Sequence, residues 1–235
     1  MTSIMIGCPT QNRSWILPDW KNYVDAAIPR DWDAKFIFAV PMWDQKTMEL
    51  VSNWKNTQII PTEEPKRMDY RAWGNKDSYR HMADLRNSIL RYVRGHHPDL
   101  YLSLDSDILL HPLAIESMYD TMSAFNANAV ASKTFLDQVD PDVTNVAAWI
   151  NPATCQSFRR HLTDGTYPVD VIMAIQMMDN LAYNVNYEYH DMGEDFGWCK
   201  NLKRAGASIY FDGRSKSKHV MSPEWLDVID PRVGY

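Results

Sequence analysis

Four short apolar runs, each emptying into a polar loop, constrain the fold of this chain more than any other feature. "TSIMIGC" runs into "PTQNRSW", "AKFIFAVP" into "MWDQ", "TQIIP" into "TEE" and "DLYLSL" into "DSD". Helical spacing separates them. "KTMELVSNW" lies between the second and third runs, and "HMADLRNSILRYVRGHHP" before the fourth places Met82, Leu85, Ile89 and Val93 on one stripe, with Arg86 and Asn87 at its edge. That helix is expected to stop at Gly95 and Pro98. Strands alternating with helices predict an α/β domain with a mostly parallel central sheet flanked by helices, and a ligand site along the carboxyl ends of its strands.

The later chain continues the pattern less regularly. "PLAIESMYDTMSAF" reads as a helix, "ANAVAS" and "NVAAWI" as strands, "VDVIMAIQMMDNLA" as a helix and "YNVNYEY" as a strand. "GEDFGWCKNLKRAG" has acids at its start, bases near its end and a closing glycine, as a capped helix does. A last strand, "ASIYF", leads into "DGRSKSKH", expected to be a mobile loop, and residues 61–80 read as a long exposed loop. No linker, repeat or compositional break divides the 235 residues, so a single domain is expected.

Charge and cysteine usage narrow the function classes. A net charge of −6 argues against nonspecific coating of nucleic acid, although Lys200, Lys203, Arg204, Arg214, Lys216 and Lys218 form a late basic cluster. Cys8, Cys155 and Cys199 are odd in number and scattered, which implies neither a disulfide framework nor a cysteine zinc site. "MTSIMIGCPT" has no secretory signal character, and no run approaches the roughly 20 apolar residues of a membrane span. A cytoplasmic protein is expected.

The chemistry centres on "LYLSLDSDILLHP". Two carboxylates one residue apart at the end of an apolar run need solvent, a hydrogen-bonding turn or a cation. In an extended segment Asp105 and Asp107 project to the same face. A hard cation such as Mn²⁺ or Mg²⁺ would resolve their repulsion, with a diphosphate and water completing its shell. A turn capped by two aspartates is the plainer alternative.

With its arginine-bearing helix, strand and D-x-D pair, "LRNSILRYVRGHHPDLYLSLDSDILLHP" resembles the nucleotide-binding half of a GT-A fold glycosyltransferase. "CPTQNR" resembles the first nucleotide loop of those enzymes, and "GEDFGW" the E-D motif of family-2-like inverting members. The resemblance implies one GT-A-like domain, with a Rossmann-like nucleotide-sugar-binding half over 1–110 and an acceptor-binding and catalytic half over 111–235. It implies that Thr10, Arg13 and Arg86 contact the nucleotide, that Asp105 lies near the ribose and metal, that Asp107 binds the metal, and that Asp44 reads the base. His219 would be a third metal ligand, and Arg214, Lys216 or Lys218 would meet the departing phosphate.

Asp195 is the candidate base that takes the acceptor's hydroxyl proton, with helix capping as its alternative, and Glu194 would orient the acceptor. Trp198, and more weakly Trp149 and Trp225, are candidate stacking platforms or core residues. The activity implied is metal-dependent transfer of a sugar from a nucleoside diphosphate, UDP first among them, to an acceptor hydroxyl with inversion. The acceptor is a saccharide or glycan, or a hydroxymethylated base in DNA. Nucleotidyl transfer and a nucleotide-sugar-binding module without turnover compete with this reading, although "GCPTQNRSW" lacks the glycine-rich, lysine-containing loop of nucleotidyltransferases.

Overall fold

A computed structural model describes residues 1–63, 76–136, 143–151, 156–159 and 164–233. In chain order the elements are β1 (Ser3–Pro9), α1 (Leu17–Ala27), β2 (Asp33–Pro41), α2 (Gln45–Ser52), β3 (Thr57–Thr62), α3 (Lys76–His96), β4 (Leu100–Leu104), β5 (Ile108–Leu109) and α4 (Ala114–Phe125). There follow β6 (Ala129–Thr134), β7 (Val146–Asn151), β8 (Gln156–Arg159), β9 (Thr166–Pro168), β10 (Val171–Ile172), β11 (Ile175–Met178), α5 (Asn180–Tyr183), α6 (Glu194–Arg204) and β12 (Ile209–His219). Most of the expected loop at 61–80 falls outside the described residues, but Lys76 already begins α3.

The main sheet has the order β3-β2-β1-β4-β11-β6-β12-β5, with β9 also on β12. The four strands on the β3 side are parallel, with Ile6 opposite both Phe36 and Leu102. Beyond β4 the expectation of a mostly parallel sheet is corrected. β11 runs antiparallel to both β4 and β6, and β5 and β9 run antiparallel to β12, so the sheet is mixed. The cause is local. "VDVIMAIQMMDNLA", expected as a helix, forms β10 and β11 around Ala174, whose φ is +64°, and only Asn180–Tyr183 is helical. All four residues of β11 are buried, so it is covered on both faces and carries no alternation to distinguish it from a buried helix.

Two further expectations change. "GRSKSKH" is part of β12, not a loop, and its serines serve as buried hydrogen-bonding groups: Ser215 Oγ lies 3.0 Å from Ser132 Oγ, and the His111 N–H donates to Ser217 Oγ. "YNVNYEY" forms no strand; instead Tyr187 exchanges two hydrogen bonds of 2.9 Å with the Asn87 side chain. Helix α1, which the sequence reading passed over, starts on a proline in its first turn, where the missing N–H has no helical partner to lose.

Strand alternation divides the core between the two faces of the sheet. Ile4, Ile6 and Cys8 of β1 face α1, α2 and α4, while Met5 faces the side covered by α3 and α6. The result is a single α/β domain with a mixed sheet between helical layers. Trp20 of α1 is fully buried, sits edge-on to Phe36 and Phe38 at 6.3 and 5.6 Å, and donates Nε1–H to the Asp105 carbonyl at 3.1 Å. Burial of such a side chain contributes roughly 1.5–3 kcal/mol. Here it also fixes the backbone of the acidic turn.

Helix α6 is held close by Gly197, where an added Cβ would lie 2.0 Å from the Glu188 carbonyl oxygen. Gly197→Ala is therefore expected to destabilise the protein by about 1–3 kcal/mol through overpacking, read as a lower urea midpoint with an unchanged slope. No helix among the described residues is long and apolar enough to cross a membrane.

Candidate active site at the strand ends

The carboxyl ends of β1 and β4 and the start of α6 enclose a cavity of about 520 Å³. Thr10, Arg13, Arg86, Asp105, Asp107, Glu194 and Asp195 all line it. Residues from four separated segments thus meet in one place, as strand carboxyl ends allow.

Arg86 is the hub of the inner wall. It projects from α3 and is 2% exposed. Its guanidinium donates Nε–H to Glu194 at 3.1 Å, one terminal N–H to Ser103 Oγ at 2.8 Å and the other to Asp105 Oδ1 at 2.8 Å. Asp195 Oδ1 lies 3.9 Å away. Burial works against the charge, but Asp105, Asp195 and Glu194 outweigh it and hold the arginine even more firmly protonated than usual. Only the planar fork of arginine reaches three partners in this way.

Asp195 does not cap its helix. The residue before α6 is Gly193, at a φ of +121°, and no side chain caps there; Asp195 faces the cavity instead. The Gln176 amide donates to its Oδ1 at 3.0 Å, and Gln176 is itself held by the Tyr187 hydroxyl. Burial pushes the Asp195 carboxyl up to about 8; Arg86 opposes that shift, while Glu194 and Asp105 add to it. Such a group binds a proton far more tightly than an ordinary carboxylate.

Asp107 has the opposite environment. Arg13 donates to its Oδ2 at 2.8 Å, and His219 Nε2 lies 3.6 Å from its Oδ1. Burial alone would raise this carboxyl, but His219 and Arg13 outweigh it and bring it down to about 2. Burial likewise lowers the His219 imidazole while Asp107 raises it, and the net position is above its ordinary value. His219 Nδ1 lies 3.1 Å from the Phe135 carbonyl oxygen, which orients the ring with Nε2 toward Asp107.

The D-S-D segment is a turn and not extended strand, which corrects the same-face argument. The Asp105 carbonyl accepts the Ile108 N–H, and the Asp105 N–H is donated to the Ala174 carbonyl. Both aspartates still line the cavity, but different arginines hold them. Among the described residues no group of three His, Cys, Asp or Glu side chains is gathered to hold a metal ion. The residues that could meet a hard cation are Asp107 and His219, whose Oδ1 and Nε2 lie 3.6 Å apart with the imidazole oriented through its other nitrogen.

Other candidates lie elsewhere. Asp44 does not line the cavity; one oxygen accepts the Thr47 N–H at the start of α2, and the other accepts the Asn12 N–H at 2.6 Å, so it braces the first loop. Arg214 pairs with buried Asp212 and with Ser117 and Thr121 of α4. Lys216 pairs with Asp164. Lys218 donates to the Leu226 carbonyl beside a separate cavity of about 180 Å³. Trp198 is fully buried against Tyr187, with ring centroids 5.2 Å apart, and is a core residue, not a ligand platform. Trp225 packs against the core, and the Trp149 side chain lies outside the described residues.

The sequence reading missed Gln176, Ser103, Trp15 and Tyr79. The first two carried a signal, since each is a lone polar residue inside an apolar strand, in "AIQMM" and "YLSL". Trp15 and Tyr79 are the flat side chains that line the cavity together with Phe196. Cys8 is fully buried near the two aspartates, and burial pushes its thiol well above the usual range. No protein-family model matches the chain, and no curated protein matches it.

Proposed function

We propose that the chain is a glycosyltransferase of the GT-A kind, which moves a sugar from a nucleoside diphosphate, UDP first among them, to an acceptor hydroxyl with inversion. The observation that carries this reading is the meeting of the D-S-D pair, the E-D pair, Arg13, Arg86 and Thr10 around one cavity at strand carboxyl ends. Its volume lies within the range of about 300–1,000 Å³ that small-ligand sites occupy. The two aspartates with opposed proton affinities, Asp107 and Asp195, match two jobs: a permanent anion for a cation, and a strong base for a proton.

In this reading Asp107 and His219 hold Mn²⁺ or Mg²⁺, with Asp105 beside them. When bound, the cation supplies positive charge where negative charge grows on the departing diphosphate. Arg13 and Thr10 meet the nucleotide. Arg86 holds Asp105 and Glu194 in place, and Gln176 orients Asp195. Asp195 takes the acceptor's hydroxyl proton as the new C–O bond forms at the anomeric carbon and the bond to the diphosphate oxygen breaks. Trp15, Tyr79 and Phe196 are the surfaces on which a base or acceptor ring would stack.

A thermal-shift panel of nucleotide sugars, each with Mn²⁺ or with chelator, tests the reading. One donor should raise the melting temperature strongly only with the metal present. Asp107→Asn is expected to abolish that shift while leaving the unliganded protein folded. A donor shift of equal size in the variant would remove the cation site. For the acceptor, steep salt dependence of binding to DNA containing hydroxymethylated bases would favour a nucleic acid, because phosphate contacts release counterions and saccharide contacts do not.

A further inference from the structure

We propose that Arg13 is the resident counter-cation of Asp107, and that it changes partner when a divalent cation and a nucleoside diphosphate bind together. The proposal rests on the glycosyltransferase reading and concerns how its two ligands are coupled. The Arg13 guanidinium sits 2.8 Å from Asp107 Oδ2, on the carboxylate a cation would need. An ion arriving alone at Oδ1, the oxygen that faces His219 Nε2, brings a second positive charge onto a carboxylate whose Oδ2 Arg13 already holds, and so loosens that guanidinium. An arginine so loosened loses a charge-assisted hydrogen bond.

A diphosphate removes that penalty. Arg13 lies on the loop after β1 with its side chain 23% exposed, and it borders the cavity, so it can turn from the carboxylate to a ligand oxygen without leaving a packed site. Trp15, 5.8 Å from the guanidinium, offers its ring face to the cation. A second observation points to a ligand at the same wall. Thr10 is 4% exposed, borders the cavity three residues before Arg13, and its Oγ1 has no hydrogen-bond partner. Buried hydroxyls are seldom left in that state without a ligand or water to meet them. The diphosphate takes Arg13 as the cation takes Asp107, so each ligand favours the other.

Reciprocal coupling of this sort is expected to reach about 5–150-fold. Mn²⁺ is titrated into the full chain with and without saturating UDP, or whichever nucleoside diphosphate the donor panel selects, and free Mn²⁺ is followed by its spin-resonance signal. In the native protein UDP should tighten Mn²⁺ at least about tenfold. In Arg13→Gln, Mn²⁺ alone should bind about tenfold tighter than to the native protein, and the further gain from UDP should shrink. Arg13→Lys, which keeps a charge but not the fork, should fall between the two and provides the comparison if the glutamine variant does not fold. Equal binding of Mn²⁺ alone to all three proteins, with UDP still tightening it in each, would overturn the role of Arg13 and leave the site reading standing. Absence of any Mn²⁺-dependent binding of nucleoside diphosphate to the native protein would overturn both.

Discussion

Asp195→Asn is expected to lower the transfer rate by about a thousandfold or more while donor binding stays within a few-fold of the native protein. The amide keeps the shape of the carboxyl and its contact with Gln176 but cannot accept the acceptor's proton. Near-native turnover would reduce Asp195 to a structural residue and leave a binding module as the better description. The pH profile adds an independent check. A base pushed up to about 8 is mostly protonated at neutral pH, so kcat/KM should rise about tenfold per pH unit toward 8 and then level off.

The same substitution has a stability consequence of opposite sign. Between the unfolded carboxyl value of about 3.9 and the folded value near 8, the native state holds a proton that the unfolded chain has released. Native stability contributed by this group is therefore fully present below about pH 4 and is lost progressively up to about pH 8. Asparagine carries no such proton. The variant should match the native protein near pH 4 and exceed it above pH 8 by on the order of a few kcal/mol, as urea midpoints across that range would show. A catalytic group that weakens its own fold is the trade expected of a buried base.

The half of the sheet that holds the nucleotide-loop candidates was legible because its strands alternate with helices and end in polar loops. Thr10, Arg13, Asp105 and Asp107 follow directly from that pattern, since each stands at the carboxyl end of β1 or β4. The other half was not, for physical reasons. Val171–Met178 is buried on nearly every side, so its apolar run carries no period, and Ser215 and Ser217 look like loop residues because their buried partners lie 83 or more residues away. Trp198 and Asp44 show a related difficulty: residue type told nothing of whether an indole meets a ligand or Tyr187, or whether a carboxylate meets a base or the Asn12 N–H. The environment of Asp195 was legible only in part. Its neighbour Glu194 is in the motif, but Gln176 and Arg86, which hold it, come from two other elements.

Arg86→Met is expected to cost about 3–5 kcal/mol of stability, the largest loss of any single change at this site, because it removes a buried cation from among Asp105, Glu194 and Asp195. Much of that loss is repulsion among the stranded carboxylates and not loss of the arginine's own contacts. Asp195, pushed up to about 8, is already mostly protonated at neutral pH, so its share of the gap between variant and native protein should grow above pH 8, where the native carboxylate ionises against Arg86 and the variant's does not. Arg86→Lys should recover only part of the loss, since an ammonium on a flexible stem cannot reach Ser103, Asp105 and Glu194 together. Adding Asp195→Asn to Arg86→Met separates the two contributions. If the carboxylates are coupled through the guanidinium, the second substitution, measured near pH 9 where Asp195 is ionised in the native protein, should restore more stability in the Arg86→Met background than it adds to the native protein. The excess should be well above the ~0.5 kcal/mol within which independent sites add. Simple additivity in urea denaturation would mean that Asp195 is governed by burial alone, and that Arg86 serves Asp105 and Glu194 without setting the proton affinity of the base.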